Sequence, residues 1–488
     1  MKTMLLNLPK NLEKRFDFDQ VAQPLGLAYI SSFLKAHGYN ATIFDANAYH
    51  LRRKQILDYV NNFNPDVLGL SVMTSQLPII ISFLNDLKRK IPKVQVVLGG
   101  PHVTTEYRST LQSFEVVDMV VRGEGEYTMF HLLDILRTGG ALDDVKGLCF
   151  KKDGNIKINE MRPYIEDLDT IPYPNWAALP MRRYWDVFTS KKNYARIIAS
   201  RGCPYQCTFC GAHLALGLKH RKRSPENIIG ELKLLYDHFH VREFLFSDST
   251  FNIDNEWVSE ICEAIIGMER PMIWRCNVRF DRLDKKTLFL MKKSGCVKVI
   301  MGIESADESI LKTIKKGETI KQIKKGLNTL NEVGMPSDHG FIIGLPGETE
   351  DSIMKSIEFA KEIKNGVVTF SLATPFPGTE FYNIAMREGL EVDDWSKFDF
   401  YGVPYVPSGM TKEQLQKYFR YTVKTFYLRP SYLFKRLLNI KSWINLKIYC
   451  WFAFRIFQRR FKLGRKSRKI ILNVLFAIVV VAFENLYC

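Results

Sequence analysis

Over the first 140 residues, short apolar runs alternate with longer stretches in which apolar residues recur every three or four positions. The short runs have the length and continuous hydrophobicity of buried parallel strands. They are TMLLNL (3–8), ATIFDA (41–46), VLGLSV (67–72), VQVVLGG (94–100) and VDMVVRG (117–123). Between them, LGLAYISSFLKAHGY (25–39) and IIISFLNDLKRKIP (79–92) have helical periodicity and stop at Gly38 and Pro92. The pattern predicts an open, doubly wound parallel sheet of the flavodoxin-like (Rossmann) type over residues 1–140.

Small and polar residues follow these strands, at the edge where open α/β sheets bind their ligands. They are Gly69, Ser71, Thr74, Ser75, the GGPH segment (99–102) and the RGEGE segment (122–126). We therefore expect a ligand at the carboxyl edge of the first sheet.

A second β/α series follows a connector over residues 141–192, in which KKDGNIKINE (151–160) is typical of a hairpin. Its predicted strands are ARIIAS (195–200), EFLFS (243–247), IWRCN (273–277), KVIMGI (298–303), GFIIG (340–344) and VTFSLA (368–373). Helical patterns such as PENIIGELKLLYDHF (225–239) separate them. Six such units predict a partial (β/α)6 TIM-like barrel over residues 193–400, with its chemistry on the loops that follow the strands.

Charge and cysteine usage narrow the class of protein. The formal net charge is +17, but residues 414–488 alone hold sixteen Lys/Arg and one acid, Glu484. The basic character therefore belongs to the tail, which argues against a nucleic-acid-binding body. Nine cysteines, mostly scattered, fit a reducing cytoplasm better than a disulfide framework. The N-terminus has neither the apolar core nor the cleavage site of a signal peptide.

Three of the cysteines fall within eight positions, in RGCPYQCTFCGAH (201–213). Cys203, Cys207 and Cys210 have the spacing C-x3-C-x2-C, and no fourth cysteine follows nearby. Structural metal sites normally use four protein ligands, so three thiolates indicate a metal centre with one position left open. A degenerate zinc site and a chance cluster are the alternatives.

This motif, with the aromatic Phe209 before its last cysteine, resembles that of the radical SAM enzymes. The resemblance implies a [4Fe–4S] cluster on Cys203, Cys207 and Cys210 that binds S-adenosylmethionine at its open iron and cleaves it to a 5′-deoxyadenosyl radical. Later loops are similar to the family's supporting motifs: FSDST (246–250), WRCNVRF (274–280), MGIES (301–305), GFIIGLPGET (340–349) and TPFPGT (374–379). The S-adenosylmethionine contacts that this implies are Phe209, Asp248, Ser249, Arg279, Glu304 and Ser305. For Asp248 and Glu304, loop capping is the alternative role.

The N-terminal sheet resembles the cobalamin-binding domain that precedes the barrel in one large radical SAM class, which includes magnesium-protoporphyrin IX monomethyl ester cyclases and cobalamin-dependent methyltransferases. The shared segments are QPLGLAYISSFLKAHGY, GLSVMTSQ, GGPHVT and VVRGEGE. The implied cobalamin contacts are Ser71, Thr74, Gly99, Gly100, Gly123 and Glu124. The D-x-H-x-x-G signature of a cobalt-ligating histidine is missing, and His102 is interpreted as structural. An empty sheet kept for its structural role is the alternative.

Residues 401–488 are predicted to form a helical, basic and apolar C-terminal tail. Two apolar runs, 444–457 and 470–483, flank the basic segment QRRFKLGRKSRK (458–469), and neither run is long enough to span a bilayer. This pattern favours attachment to an anionic membrane surface. A helical hairpin that closes the barrel and a nucleic-acid arm are the alternatives. The final ENLYC is similar to the start of a protease-tag sequence.

The sequence thus predicts a cytoplasmic enzyme held peripherally at the inner face of the cell membrane. We expect methyl transfer by way of cobalamin to an unactivated carbon of a small hydrophobic, lipid-like substrate, with electrons from a flavodoxin or ferredoxin. Radical cyclisation, oxidation or C–C coupling without methyl transfer is the first alternative. A non-catalytic, cluster-bearing redox or scaffold protein is the second. No nucleic-acid partner is expected.

Overall fold

A computed structural model describes residues 1–12, 21–186, 189, 193–364, 366–430 and 432. The chain separates into two compact units, Met1–Gln416 and Lys417–Cys488. The tail segments in which membrane attachment is predicted, with Cys450 and Cys488, lie outside the described residues. Within the described part of the chain, no helix combines the length and the apolar character needed to cross a bilayer.

The described residues of the N-terminal region form a seven-stranded sheet in the order β2-β1-β3-β4-β5-β6-β7. Its strands are β1 (Thr3–Asn7), β2 (Ala41–Asp45), β3 (Val67–Ser71), β4 (Gln95–Gly99), β5 (Met119–Val121), β6 (Leu148–Lys152) and β7 (Asn155–Ile158). The first five are parallel in the order 2-1-3-4-5, so the predicted flavodoxin-like sheet is confirmed. The hairpin predicted in the connector is present as β6 and β7, and these add two antiparallel strands to this sheet.

Helices cover this sheet because their apolar faces pack against its apolar strands. The helices are α1 (Leu25–Ala36), α2 (Arg53–Phe63), α3 (Leu77–Lys90), α4 (Pro101–Thr105), α5 (Tyr107–Ser113) and α6 (Glu126–Thr138). Met4 and Leu6 of β1 share one core with α2 and α3. Alternate side chains of a strand point to opposite faces, so Leu5, which is also buried, faces the other side. Burial on both faces explains the continuous apolar runs in the sequence.

The second sheet of this unit has six parallel strands in the order β15-β14-β13-β12-β11-β8, which confirms the predicted partial barrel. These strands are β8 (Tyr194–Ile197), β11 (Glu243–Phe246), β12 (Ile273–Asn277), β13 (Cys296–Glu304), β14 (Ser337–Ile343) and β15 (Val368–Leu372). A short antiparallel pair, β9 (Ser200–Arg201) and β10 (Arg221–Lys222), brackets the three-cysteine segment. The sequence pattern did not indicate this pair.

Most of the loops that follow the barrel strands end at a polar residue, and the side chain of this residue caps the helix that comes next. The helices are α7 (Ala212–Leu216), α8 (Pro225–His238), α9 (Asn255–Gly267), α10 (Lys285–Lys293), α11 (Glu308–Thr313), α12 (Ile320–Val333), α13 (Glu350–Glu362), α14 (Glu380–Arg387) and α15 (Lys412–Tyr427). Ser224, Asp254, Asp284, Asp307, Thr319, Thr349 and Thr379 accept backbone hydrogen bonds as N-caps. These caps determine where each functional loop stops.

The two sheets belong to one compact unit, Met1–Gln416. The domain boundaries proposed at residues 140, 192 and 400 therefore stay predictions.

Candidate active site

The cysteine loop begins directly after β9 and is shaped by a close backbone approach. Gly202 has φ +90°, and a Cβ atom there would lie 2.0 Å from the carbonyl oxygen of Lys219. The position therefore requires glycine. The backbone N–H of Cys203 donates to the Gly217 carbonyl (3.0 Å), and that of Thr208 donates to the Ile314 carbonyl (2.9 Å). These bonds tie the loop to α7 and to the end of α11.

All three thiols are free, with Cys203 and Cys207 buried and Cys210 half-buried. No group of three His, Cys, Asp or Glu side chains in the described residues is close enough to hold a single metal ion. An iron–sulfur cube makes a different demand, because each of its cysteines binds a different iron. A loop that carries three buried or half-buried thiols therefore fits a cube better than one zinc ion.

Positive charge lies beside these thiols. Burial raises the pKa of Cys207 to about 11, and the nearby Lys316 and Arg279 act in the opposite direction. Burial also raises the pKa of Cys210. Metal binding requires thiolates, so buried cations close to this loop favour the form that binds iron.

A buried ionic group built on Lys316 underlies the loop. The Lys316 ammonium lies 3.1 Å from Oε1 of Glu304 and 3.5 Å from Oε2 of Glu318. Although burial acts to lower it, these carboxylates raise the pKa of Lys316 above its usual range. Glu304 has a left-handed backbone with φ +67°, which is uncommon for a residue other than glycine. Sequence reasoning found Glu304 but missed Lys316 and Glu318.

Asp248 lies at the expected loop, but its carboxylate faces the protein. It accepts hydrogen bonds from the backbone N–H of Ala199 (3.3 Å) and from the backbone N–H and hydroxyl of Ser200. Burial raises the pKa of Asp248 to about 6. Asp248 therefore anchors the strand that leads into the cysteine loop, whereas its neighbour Ser249 is exposed.

Arg279 and Ser305 are likewise bound to protein groups. The Arg279 guanidinium pairs with Asp281 at 2.9 Å, donates to the Lys316 carbonyl (2.8 Å) and lies 3.6 Å from the centre of the Tyr205 ring. Ser305 is fully buried, with its hydroxyl 3.4 Å from that of Ser356. The predicted contacts of Asp248, Arg279 and Ser305 with S-adenosylmethionine would have to share or replace these partners.

A small apolar pocket lies where β14 and β15 end. Phe209 of the cysteine loop forms one wall. The other lining residues are Ile342, Leu345, Leu372, Ala373, Thr374, Phe376, Phe381 and Phe400. The pocket joins the cysteine motif to the loops GFIIGLPGET and TPFPGT.

Glu348, in the loop GFIIGLPGET, is expected to make the stability of the protein depend on pH. Gly344 and Leu345 donate backbone hydrogen bonds to Oε2 (2.6 and 3.2 Å), while Oε1 is buried without a hydrogen-bond partner. Burial raises the pKa of Glu348 from 4.5 to about 8. The folded protein binds the Glu348 proton more tightly than the unfolded chain does. The unfolding free energy therefore falls as the pH rises from about 4.5 to about 8.

Glu348→Gln is expected to remove this pH dependence, so the variant becomes more stable relative to wild type as the pH rises. The difference in unfolding free energy grows by at most about 1.4 kcal/mol per pH unit. Chemical unfolding of both proteins at about pH 5 and about pH 8 measures it. A stability difference that is the same at both values would contradict the assignment.

Glycines and an exposed serine lie along the carboxyl edge of the first sheet. Gly100 has φ +97°, and a Cβ atom there would lie 2.7 Å from the hydroxyl of Ser71. Gly99 and Gly123 are partly exposed beside it, and Ser71 is exposed. Glycine at position 100 allows this close packing against Ser71, and the small residues Ser71, Gly99 and Gly123 are compatible with a flat cofactor at this edge.

Thr74, His102 and Glu124 occupy the same edge but are buried. Nδ1 of His102 lies 3.3 Å from the Thr74 hydroxyl, and its ring meets Trp395 edge-on at 5.0 Å. Burial lowers the pKa of His102 to about 4, so the ring is neutral at physiological pH. This placement agrees with a structural His102.

Glu124 belongs to a buried ionic network that joins the carboxyl edge of the first sheet to the β9–β10 pair. Its carboxylate lies 2.9 Å from Arg201 and 2.9 Å from Arg221, while Glu126 lies 2.7 Å from Arg201. The Arg201 guanidinium also lies over the ring of Tyr29 at 5.1 Å. Arg201 directly precedes Gly202, so the network connects the predicted cobalamin edge to the start of the cysteine loop.

Comparison with known proteins gives two matching families along the chain. The B12 binding domain matches residues 16–133, and the radical SAM superfamily matches residues 197–360. An uncharacterised methyltransferase of Pyrococcus horikoshii is 32% identical over 91% of this chain and 96% of its own length. The anaerobic magnesium-protoporphyrin IX monomethyl ester cyclase of Rubrivivax gelatinosus is 28% identical over 91% of this chain and 81% of that protein.

One solved structure has a similar fold over nearly all of the chain. The cobalamin-dependent S-adenosylmethionine radical enzyme OxsB, with aqua-cobalamin and S-adenosylmethionine bound, aligns with a TM-score of 0.74 at 18% identity. The alignment covers 98% of this chain and 75% of OxsB. The chain therefore belongs to the cobalamin-binding radical SAM enzymes, whose cofactors are a [4Fe–4S] cluster, S-adenosylmethionine and cobalamin.

Proposed function

We propose that this enzyme transfers a methyl group by way of cobalamin to an unactivated carbon of a small hydrophobic substrate. The observation that supports the proposal is the buried ionic contact between the loop that follows β5 and the start of the cysteine loop. Arg201, at the start of the cysteine loop, is ion-paired with Glu124 and Glu126 of the first sheet's RGEGE loop. In addition, α4, which begins at Pro101 of the GGPH segment, packs against α7, which follows the cysteine motif. A methyl relay needs two cofactors that face one reaction space.

In this proposal Cys203, Cys207 and Cys210 hold the cluster, and Lys316 and Arg279 provide the positive charge beside it. When bound, the cluster supplies the electron that cleaves S-adenosylmethionine to a 5′-deoxyadenosyl radical, and cobalamin supplies the methyl group. The exposed Ser249 and the Phe209 pocket are the accessible candidates for binding S-adenosylmethionine, whereas Glu304 is buried and paired with Lys316. Ser71, Gly99, Gly100 and Gly123 form the candidate cobalamin floor. Asp248, Arg279, Ser305, Thr74 and Glu124 act through the groups they position.

A hydrophobic substrate is supported by exposed apolar side chains at the cobalamin edge. Met73 is 52% exposed beside Thr74, and Met161 is 37% exposed beside Gly123. Among the relatives, the hopanoid C-3 methylase of Methylococcus capsulatus is 26% identical over 77% of this chain. The cyclase from Rubrivivax gelatinosus is named for a porphyrin ester. We therefore place the substrate among lipid-like or porphyrin-like molecules.

Product analysis with labelled S-adenosylmethionine tests the reaction type. The anaerobically reconstituted holoenzyme is incubated with lipid and pigment extracts from cells that lack the gene. We expect 5′-deoxyadenosine together with a product that is heavier by one labelled methyl group in place of hydrogen. A product that loses hydrogen and gains no label would favour cyclisation or oxidation instead. The non-catalytic alternative survives only if no 5′-deoxyadenosine is formed.

Peripheral attachment to the cytoplasmic membrane through the tail completes the proposal. It rests on the sequence of residues 444–483, where basic residues lie between two apolar runs. In full-length protein, replacing Arg459, Arg460, Arg465 and Lys466 by glutamine is expected to lower co-sedimentation with anionic liposomes. Equal co-sedimentation of wild type and variant would refute this attachment.

A further inference from the structure

Exposed basic side chains concentrate on one part of the barrel. Residues 282–325 contain twelve Lys/Arg and five Asp/Glu. Three of these acids already have basic neighbours: Glu304 and Glu318 pair with the buried Lys316, and Asp307 pairs with Lys355. The exposed basic residues of this part, here called the basic rim, are Arg282, Lys285, Lys286, Lys292, Lys293, Lys312, Lys315, Lys321, Lys324 and Lys325.

The basic rim lies beside the cysteine loop. On one side, Nε of Arg282 donates a hydrogen bond of 3.0 Å to the hydroxyl of Tyr205, which stands between Cys203 and Cys207. On the other side, the Thr208 backbone bonds to Ile314, next to Lys315. The loop residues Pro204 and Gln206 are themselves exposed. This face is therefore a place where the cysteine motif comes close to solvent.

An exposed aromatic ring lies within the rim. Phe289, in the middle of α10, is 51% exposed. Lys285, Lys286, Lys292 and Lys293 lie three or four positions before and after it, so they share its helix face. Aromatic side chains are enriched at protein-binding surfaces.

We propose that the basic rim is the docking surface for an acidic, one-electron carrier protein that reduces the enzyme. This inference rests on the proposed cluster ligation by Cys203, Cys207 and Cys210. One electron leaves the carrier, which is oxidised by one electron, and the [4Fe–4S] cluster is reduced by the same electron. The loop from Cys203 to Cys207 is the short path between the carrier and the cluster.

The position of the rim distinguishes this partner from other anions. Nucleic acid or an anionic membrane would be attracted by positive charge anywhere on the surface. Their attraction does not depend on whether the patch adjoins the cysteine loop. A carrier that must bring its redox centre close to the cluster does depend on that position. Complementary charge also raises the association rate of such short-lived complexes.

The test compares Lys286→Glu/Lys312→Glu with the matched charge reversal Lys90→Glu/Lys93→Glu on the first sheet. All four lysines are exposed, so both double variants change the net charge equally. Iron content and the visible spectrum are first measured for each reconstituted holoenzyme. Cluster reduction is then followed by stopped-flow absorbance with reduced flavodoxin as the probe, and separately with dithionite.

We expect Lys286→Glu/Lys312→Glu to slow reduction by flavodoxin about 10-fold or more at low salt, with the difference shrinking as salt is added. Its reduction by dithionite and its iron content should equal those of wild type, and the control variant should behave as wild type throughout. Equal flavodoxin rates in both variants would overturn the proposal. So would slowed reduction by dithionite, or a loss confined to binding of anionic liposomes or nucleic acid. A wild-type protein that takes up no cluster would refute the proposed function, and this inference with it, before any carrier is added.

Discussion

Replacing Cys203, Cys207 and Cys210 together by alanine is expected to abolish cluster binding and the cleavage of S-adenosylmethionine. The three thiols are free in the structure and lie on one loop that is anchored at both ends. Iron–sulfur clusters are held by thiolates, and alanine offers no ligand atom, so the loss should be complete rather than graded. Iron and sulfide content, the visible spectrum of the reconstituted protein and the yield of 5′-deoxyadenosine measure it.

Two other buried cysteines provide the matched controls. Cys149 lies in β6 and Cys262 in α9, both fully buried, where free cysteine acts as a small apolar side chain. Cys149→Ala and Cys262→Ala should lose some stability but keep the full cluster. If the triple variant retains its iron, or if either control loses it, the ligand assignment is incorrect.

The cysteine motif could be predicted from the sequence because its members are close in the chain. Three thiols within eight positions of one loop define a ligand set without any knowledge of distant contacts. The strands were recognisable for a similar local reason. Both faces of β1, β3 and β4 are buried, so each reads as an unbroken apolar run. The carboxyl ends of such strands then indicated where the cofactor loops lie.

The surroundings of the motif could not be predicted, because they depend on pairs that are far apart in sequence. Lys316 lies in the charged run KKGE, which is typical of a solvated surface, yet the fold buries it between two carboxylates. Asp248 lies in the loop that the motif indicated, but its partner is Ser200, 48 residues away. Sequence position placed these residues near the site without fixing what their side chains bind.

Arg201→Met is expected to destabilise the first unit strongly, because it leaves two buried carboxylates without their shared partner. The Arg201 guanidinium donates hydrogen bonds to Glu124 at 2.9 Å and to Glu126 at 2.7 Å, across 77 and 75 residues of sequence. Removing one member of a buried ion pair typically costs about 3–5 kcal/mol, since the remaining charge stays desolvated. Arg221 continues to pair with Glu124, so most of the loss should come from Glu126.

A second substitution separates this penalty from the loss of packing. In Arg201→Met/Glu126→Gln the uncompensated carboxylate is gone, so the double variant should unfold at a higher denaturant concentration than Arg201→Met alone. Arg270→Met is the matched control, because its pair with Asp237 (3.0 Å) is partly exposed and should contribute little. Denaturant unfolding followed by tryptophan fluorescence compares the four proteins. If the double variant is no more stable than Arg201→Met, the network does not join the first sheet to β9 through a buried charge, and the contact that supports the methyl relay must rest on packing alone.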